Sequence, residues 1–125
     1  MALLVSMLPP EEAARLGLGQ EGALCAAAGL AFRCFPIPDF GLPEPAPFVA
    51  LIDALAAEIE AGRGVAVHCR AGIGRSGIVA ACVAARFLGS PAAAVEAVSR
   101  ARGIEIPDTR AQRAFIDRIA GRARA

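Results

Sequence analysis

The residues best suited to chemistry stand in one short stretch, where a histidine and a cysteine lead into a glycine-rich segment that ends at an arginine and a serine. The apolar run Val65–Val67 precedes His68 and Cys69, and Arg75 and Ser76 precede an alanine-rich apolar segment. This order predicts a strand, a tight loop and the start of a helix. The backbone N–H groups of such a loop point into one concavity, to which the helix dipole adds positive potential, so it can hold a tetrahedral oxyanion.

Two side chains at this concavity could carry a reaction. Cys69 is predicted at its base, where the surroundings favour the thiolate, and a thiolate beneath a bound phosphate can attack phosphorus. Arg75 can close the far side, because its planar guanidinium matches two phosphate oxygens. The alternative is a buried cysteine beside a glycine turn, with Arg75 on the surface. The residues predicted to bind phosphate together with Arg75 are Arg70, Ala71, Gly72, Ile73 and Gly74.

The run from His68 to Ser76 resembles the active-site loop of the cysteine-dependent protein phosphatases, especially the small dual-specificity type. The resemblance extends from about Leu3 to Ile119. It implies hydrolysis of phosphotyrosine, and also of phosphoserine or phosphothreonine, through a phosphocysteine and without a metal or other cofactor. Domains of this type carry one or two short strands before the segment that starts here at Leu3. We therefore expect either a reduced sheet with an exposed edge or a shortened chain.

The leaving group of such a reaction needs a proton, and Asp39 is the candidate general acid. It stands in the proline-rich run Pro36–Pro43, which resembles the general-acid loop of the dual-specificity phosphatases. The spacing between Asp39 and Cys69 also fits that family. The alternative is an aspartate that only forms a turn after a proline.

The resemblance gives roles to three further residues. His68 supports the loop and lowers the pKa of the cysteine, Ser76 donates its hydroxyl to the sulfur of Cys69, and Gln112 places the hydrolytic water. Each has a structural alternative: a satisfied core histidine, an N-cap serine, and a helix capping box formed with Thr109. Two arginines stand shortly before this capping box, Arg100 and Arg102. They could touch the substrate or simply form a solvated helix face.

The order of the elements predicts one domain, residues 1–125, with an α/β fold in which helices cover both faces of a parallel sheet. Two buried strands and a central one are expected at Leu3–Leu8, Leu30–Phe35 and Val65–His68. Helices are expected at Glu11–Leu18, Glu21–Ala28, Phe48–Ala61, Ser76–Leu88, Pro91 to about Arg102, and Thr109 to about Ala120. In the third helix the core stripe is Phe48, Ile52, Leu55 and Ile59.

The composition narrows the function classes. A net charge of +1 gives no support for a nucleic-acid or membrane surface, and no apolar run is long enough to span a bilayer. We expect a cytoplasmic protein without disulfides, in which Cys25, Cys34 and Cys82 are small core residues. All thirteen basic residues are arginine, which indicates a bacterial genome rich in G and C.

Two other functions remain open at this point. One is a phosphatase that acts on a small phosphomonoester instead of a phosphorylated protein, and the residues do not separate the two. The other is a module that binds phosphate without catalysis. Pure binding needs neither a thiolate nor an acid, so the presence of Cys69, Arg75, Ser76 and Asp39 favours the enzyme. The residues leave the oligomeric state open.

Overall fold

The protein is built on a short parallel sheet. The computed structural model describes residues 3–38, 41–70 and 73–123. The strands are β1 (Leu3–Ser6), β2 (Ala31–Cys34) and β3 (Val65–His68), in the order β2-β1-β3. Ser6 at the end of β1 lies opposite Cys34 of β2 and His68 of β3, so all three strands end at the same level. The predicted phosphate loop and the segment before Asp39 therefore leave the sheet on the same side, at the carboxyl ends of the strands.

Six helices complete the described fold: α1 (Pro10–Arg15), α2 (Glu21–Ala27), α3 (Pro45–Glu60), α4 (Arg75–Leu88), α5 (Pro91–Arg102) and α6 (Arg110–Ala123). Their ends follow the sequence signals. Gly89 and Gly103 end α4 and α5 in the left-handed conformation, with φ of 84° and 74°. The Ser90 hydroxyl accepts a hydrogen bond from the Ala93 amide at 3.0 Å and caps α5. No helix within the described ranges is long and apolar enough to cross a membrane.

The core joins β1 to the helices α3, α4 and α6. Val5 of β1 is fully buried in one cluster with side chains of α3, α4 and α6. Phe48 of α3 stands at its centre, with edge-to-face ring contacts at centroid distances of 6.0 Å to Phe35 and 5.5 Å to Phe115. α2 packs against β2. The predicted α/β fold with a parallel sheet is confirmed.

The position of the strands differs from the prediction in two respects. β3 was expected at the centre of the sheet, but it is an edge strand and β1 is central. β2 was expected to be buried, but it is largely exposed, and Cys34 at its end is exposed rather than a core residue. Both follow from the small sheet, because a three-stranded sheet has two edges and one interior strand. Cys25 and Cys82 are buried as expected.

Element boundaries shift by a few residues. α3 begins at Pro45, three residues before the predicted start, because proline is tolerated in the first turn of a helix. Ile59 was expected in the core stripe of α3 but is 40% exposed, because it lies in the last turn beside the open edge of β3. α4 is buried over most of its length as predicted, but Phe87 and Leu88 at its end are half exposed.

Truncating Phe48 should test the aromatic core. Its ring is fully buried between two other rings, so we expect Phe48→Ala to lower the free energy of unfolding by about 3–5 kcal/mol. The matched control is Phe87→Ala, since Phe87 is 49% exposed and its loss should cost well under half of that. Urea unfolding followed by circular dichroism measures both variants, and equal losses would contradict the assignment of the core.

Candidate active site

The sulfur of Cys69 lies at the N-terminus of α4, where two groups of Ser76 donate to it. The Ser76 hydroxyl is 2.9 Å from Sγ and the Ser76 amide 3.4 Å from it. The geometry arises because Cys69 directly follows the end of β3 at His68, and Ser76 directly follows the start of α4 at Arg75. Donated hydrogen bonds favour the anionic form of their acceptor, and so does a helix N-terminus. Ser76 is not the N-cap of α4, which is Gly74.

Arg75 is buried, with only 2% of its surface exposed, which rules out the alternative of a surface arginine. Its Nη1 and Nη2 atoms donate to Oε1 and Oε2 of Glu12 at 2.8 Å and 2.9 Å. Nη1 also donates to the carbonyl oxygen of Ile37 at 3.0 Å. These bonds reach the end of the guanidinium and fix its plane, and with it the direction of the Nε–Nη2 edge.

Glu12 is a site residue that the sequence did not indicate. The sequence shows two adjacent acids at the start of α1, which is a common helix signal, and only Glu12 turns inward. The hydrogen bonds from Arg75 hold the pKa of Glu12 below its usual range, despite the opposing effect of burial. The charges of Arg75, Arg15 and Arg70 act in the same direction. Glu12 is therefore a stable anion beside the predicted phosphate site.

His68 also has an acidic partner that the sequence did not reveal. Its Nε2 atom lies 2.7 Å from Oε2 of Glu21, at the start of α2. The His68 side chain is 26% exposed, so it is not the core histidine of the alternative interpretation. The carbonyl oxygen of His68 accepts from the Met7 amide at 2.9 Å, which extends the strand pairing to the base of the loop.

Gln112 packs directly against the phosphate loop. It forms the predicted capping box. Its backbone N–H donates to the Thr109 hydroxyl at 3.1 Å, and its side-chain oxygen accepts from the Thr109 backbone N–H at 3.2 Å. A Cβ atom on Gly74 would lie 3.0 Å from both polar atoms of the Gln112 amide and 2.5 Å from a carboxylate oxygen of Asp108. Any side chain at that position would require the ends of the Asp108 and Gln112 side chains to move. Gln112 is fully buried, and its Nε2 has no hydrogen-bond partner among the described residues.

The remaining predicted residues fall into two groups. Ile73 is half-buried against the core and Arg70 is exposed at the start of the loop. Asp39, Ala71 and Gly72 lie outside the described residues.

The segment that leads to Asp39 is nevertheless described as far as Pro38. The Ile37 amide donates to the Met7 carbonyl at 3.0 Å, and the Ile37 carbonyl binds Arg75. The chain two residues before Asp39 is thus fixed beside Arg75.

Residues 12–87 match the family model described as Tc-R-P, a DSP-PTPase phosphatase of polymorphic toxin systems. The chain belongs to this family. The matched segment contains Glu12, Asp39, Cys69 and Arg75, and it ends before α5 and Gln112. The chain is accordingly a cysteine-dependent protein phosphatase. No curated protein matches the sequence significantly.

Solved structures share the fold. Kinase-associated phosphatase, in a form whose catalytic-site cysteine is replaced by serine, superposes with a TM-score of 0.87 at 22% identity, covering 100% of this chain and 71% of that one. Tk-PTP in its active form gives 0.78 at 24% identity, covering 97% and 79%. A protein tyrosine phosphatase assigned as putative in Leishmania major gives 0.66 at 23% identity, covering 94% and 71%. The similarity extends through α5 and α6, beyond the segment that the family model matches.

Replacing Glu12 with glutamine should show how much the activity depends on the orientation of Arg75, because Arg75 itself is still present in this variant. Glutamine keeps the size of the side chain but offers one acceptor oxygen and no charge, so Arg75 loses its two-point anchor. We expect kcat/KM on p-nitrophenyl phosphate to fall roughly tenfold to a hundredfold, the scale of misplacing a catalytic group. The free energy of unfolding should fall by about 3 kcal/mol, because a buried charge loses its partner.

The pH dependence of stability provides a second readout for Glu12. Its pKa is lowered in the folded state, so its contribution to stability is complete above the ordinary carboxylate range and is lost as the pH falls through the lowered pKa. Glu12→Gln should therefore lose less stability than the wild type on acidification below about pH 4.3. The neighbouring exposed Glu11, changed to glutamine, is the control. Identical behaviour of the two variants would contradict the role of Glu12.

Proposed function

We propose that this phosphatase hydrolyses phosphotyrosine in proteins, and also phosphoserine and phosphothreonine, with Cys69 as nucleophile. The observation that carries the proposal is the sulfur of Cys69 at a helix N-terminus, with two hydrogen bonds from Ser76, next to a buried arginine of fixed orientation. A module that only binds phosphate would need the arginine and the loop amides, but no hydroxyl donating to a sulfur.

In the first step the Cys69 thiolate attacks phosphorus, so that an S–P bond forms and the bond to the leaving oxygen breaks. The loop amides and the Nε–Nη2 edge of Arg75 bind the equatorial oxygens and stabilise the charge that develops on them. Asp39 gives its proton to the leaving oxygen. The position of Ile37 supports this role, because it holds the chain that leads to Asp39 beside Arg75.

In the second step a water molecule attacks the phosphocysteine. Asp39, now a carboxylate, takes a proton from this water, the S–P bond breaks and phosphate forms. The Ser76 hydroxyl stabilises the departing thiolate. Gln112 places the water, a role supported by its buried amide against Gly74. His68 supports the loop through its contact with Glu21.

The proposed setting is the bacterial cytoplasm, with phosphorylated protein as the partner and without cofactor, nucleic acid or membrane. The net charge of +1 supports the absence of a nucleic-acid or membrane surface, and the arginine-only set of basic residues supports the bacterial source.

A turnover assay on four substrates tests the proposal. They are p-nitrophenyl phosphate, a phosphotyrosine peptide, a phosphothreonine peptide and an inositol phosphate, each with wild type and Cys69→Ser. We expect the phosphotyrosine peptide to be the best natural substrate. Cys69→Ser should abolish turnover and retain phosphate binding, since an alcohol is a far weaker nucleophile at neutral pH. Turnover by Cys69→Ser would contradict the role of Cys69 as nucleophile. Turnover of the inositol phosphate alone would show that the substrate is a small phosphomonoester instead of a phosphorylated protein.

The pH profile of the reaction tests Asp39. Attack needs a thiolate at Cys69 and departure needs a protonated Asp39, so the rate should rise with pH and then fall, with an optimum below neutrality. Asp39→Asn should remove the fall on the alkaline side, because no proton remains to be lost there. It should slow phosphotyrosine hydrolysis strongly and p-nitrophenyl phosphate hydrolysis little, since p-nitrophenolate leaves without a proton.

If the rate of Asp39→Asn still fell at alkaline pH and all substrates were slowed equally, the result would contradict the role of general acid and Asp39 would be a turn residue.

A further inference from the structure

The strand that leads to the nucleophile, β3, has an outer edge that no other strand of the described residues covers. On its inner edge, the carbonyl oxygens of Gly64 and His68 accept hydrogen bonds from backbone N–H groups of the β1 segment at 3.2 Å and 2.9 Å. Alternate residues of a strand present their N–H and C=O groups to opposite edges. The backbone groups of Val65 and Val67 therefore face outward, where an extended chain can pair with them.

An apolar groove of about 290 Å³ lies beside this open edge, between β3 and the helices α3 and α4. Val65 and Val67 line it from the strand, and all the described residues that line it are apolar. Ile59 and Phe87 line it from the ends of the two helices, and they are 40% and 49% exposed. Covering these side chains would remove apolar surface from water, which favours an apolar occupant.

The groove is continuous with the surroundings of the nucleophile. Val67 and Ala80 line both the groove and a neighbouring cavity of about 350 Å³, which Cys69 and Ser76 also line. The chain is a protein phosphatase, so a segment of another protein chain lies against Cys69 during catalysis. A segment that continues from this point along the open edge of β3 enters the groove.

We propose that the protein substrate binds along the open edge of β3 as a fourth strand of the sheet, with apolar side chains in the groove. The proposal rests on the proposed function, in which Cys69 attacks the phosphorylated residue, and it names the substrate class as extended segments with apolar residues at set positions. In this mode of recognition, backbone hydrogen bonds provide affinity and the side chains of alternate residues provide specificity.

The geometry of β3 sets the spacing of the apolar residues. Val65, Val67 and Cys69 alternate with their neighbours along the chain, and all three pack against the same core cluster. When the phosphorylated residue lies at Cys69, the residues two and four positions away from it face the groove. They lie on its N-terminal side if the new strand is parallel to β3, and on its C-terminal side if it is antiparallel.

A series of phosphotyrosine peptides tests this spacing. Each peptide carries leucine or serine at one of the four positions on either side of the phosphotyrosine. We expect leucine to raise kcat/KM by about threefold to tenfold at the positions two and four residues away, on one side only, the scale of burying part of a leucine side chain. The positions one and three residues away should show no preference. Either side supports the proposal, whereas a preference without this alternation, or no preference, overturns it.

N-methylation of single peptide amides tests the backbone pairing. Only every second amide of the new strand faces β3, so methylation should lower kcat/KM by about twofold to tenfold at alternate positions, the scale of one hydrogen bond. The amides between them face away from β3, and their methylation should have little effect. Equal effects at all positions contradict the pairing of the substrate with β3.

Two variants of exposed apolar residues locate the preference in the groove. Phe87→Ser removes part of one wall and should reduce the leucine-to-serine ratio to below about twofold. The matched control is Ile104→Ser, since Ile104 is 47% exposed but lines a different cavity, between α5 and α6. It should leave the ratio unchanged. Both variants should hydrolyse p-nitrophenyl phosphate like wild type, because this small substrate does not reach the groove. An unchanged ratio in Phe87→Ser overturns the proposal.

A second pair of variants tests the outward-facing backbone. Val65→Pro removes an outward N–H group at the first residue of an edge strand, where proline is tolerated, and Val65→Ala retains this group. We expect Val65→Pro to have a kcat/KM on the leucine peptides about twofold to tenfold below that of Val65→Ala. Equal values for the two variants, together with no effect of N-methylation, overturn the proposal.

Failure of the groove and failure of the proposed function are distinguishable. If wild type hydrolyses all peptides equally, the enzyme stands and the groove proposal falls. If it hydrolyses none, the proposed function falls, and fluorescence anisotropy of the same peptides with Cys69→Ser decides the groove by the same alternation. A wild-type dimer in sedimentation that Val65→Pro dissociates would assign the edge to a second copy of the chain and overturn the proposal. Should Phe87→Ser or Val65→Pro fail to fold, the methylated peptides with wild type decide it.

Discussion

The buried ion pair between Glu12 and Arg75 connects parts of the chain that would otherwise have little in common. α1 is a six-residue helix without a side-chain cap, and its inward contact is the carboxylate of Glu12. The same guanidinium donates to the carbonyl oxygen of Ile37, and Arg75 is the first residue of α4. Burying two charges costs several kcal/mol per ion, which only good geometry and full hydrogen bonding offset. The pair is thus better understood as fixing the position of Arg75 than as a source of stability.

The sheet makes this connection possible because its three strands end together. The parallel register places Ser6, Cys34 and His68 side by side, so the segments that follow β1, β2 and β3 leave at the same edge. α1 follows the first, the segment that leads to Asp39 the second, and the phosphate loop the third. Ligands of open α/β sheets bind at such an edge. The small size of the sheet leaves β3 at its margin without affecting this alignment.

The features that could be predicted from the sequence are those whose signals lie close together in the chain. The strand that ends at His68 and the helix that begins at Arg75 were predictable because their signals lie within a few residues of each other, and so were the Ser90 and Thr109 caps. The sequence did not predict the partners of Arg75 and His68. Glu12 and Glu21 look like ordinary acids in the first turns of their helices, and only the tertiary fold turns them inward. The exposure of β2 and the edge position of β3 were missed for a related reason, since strand order is not a local property.

The partner of Arg75 also bears on how phosphate is held. A carboxylate that is ionised throughout the neutral range cancels much of the positive charge that Arg75 would present to a dianion. What Arg75 then offers is direction, through an edge whose plane Glu12 and Ile37 fix. In the proposed mechanism, attraction for the phosphate comes largely from the backbone amides and the dipole at the N-terminus of α4. Such a site discriminates by geometry rather than by net charge, so it can stabilise the equatorial oxygens of the transition state without holding the product phosphate too tightly.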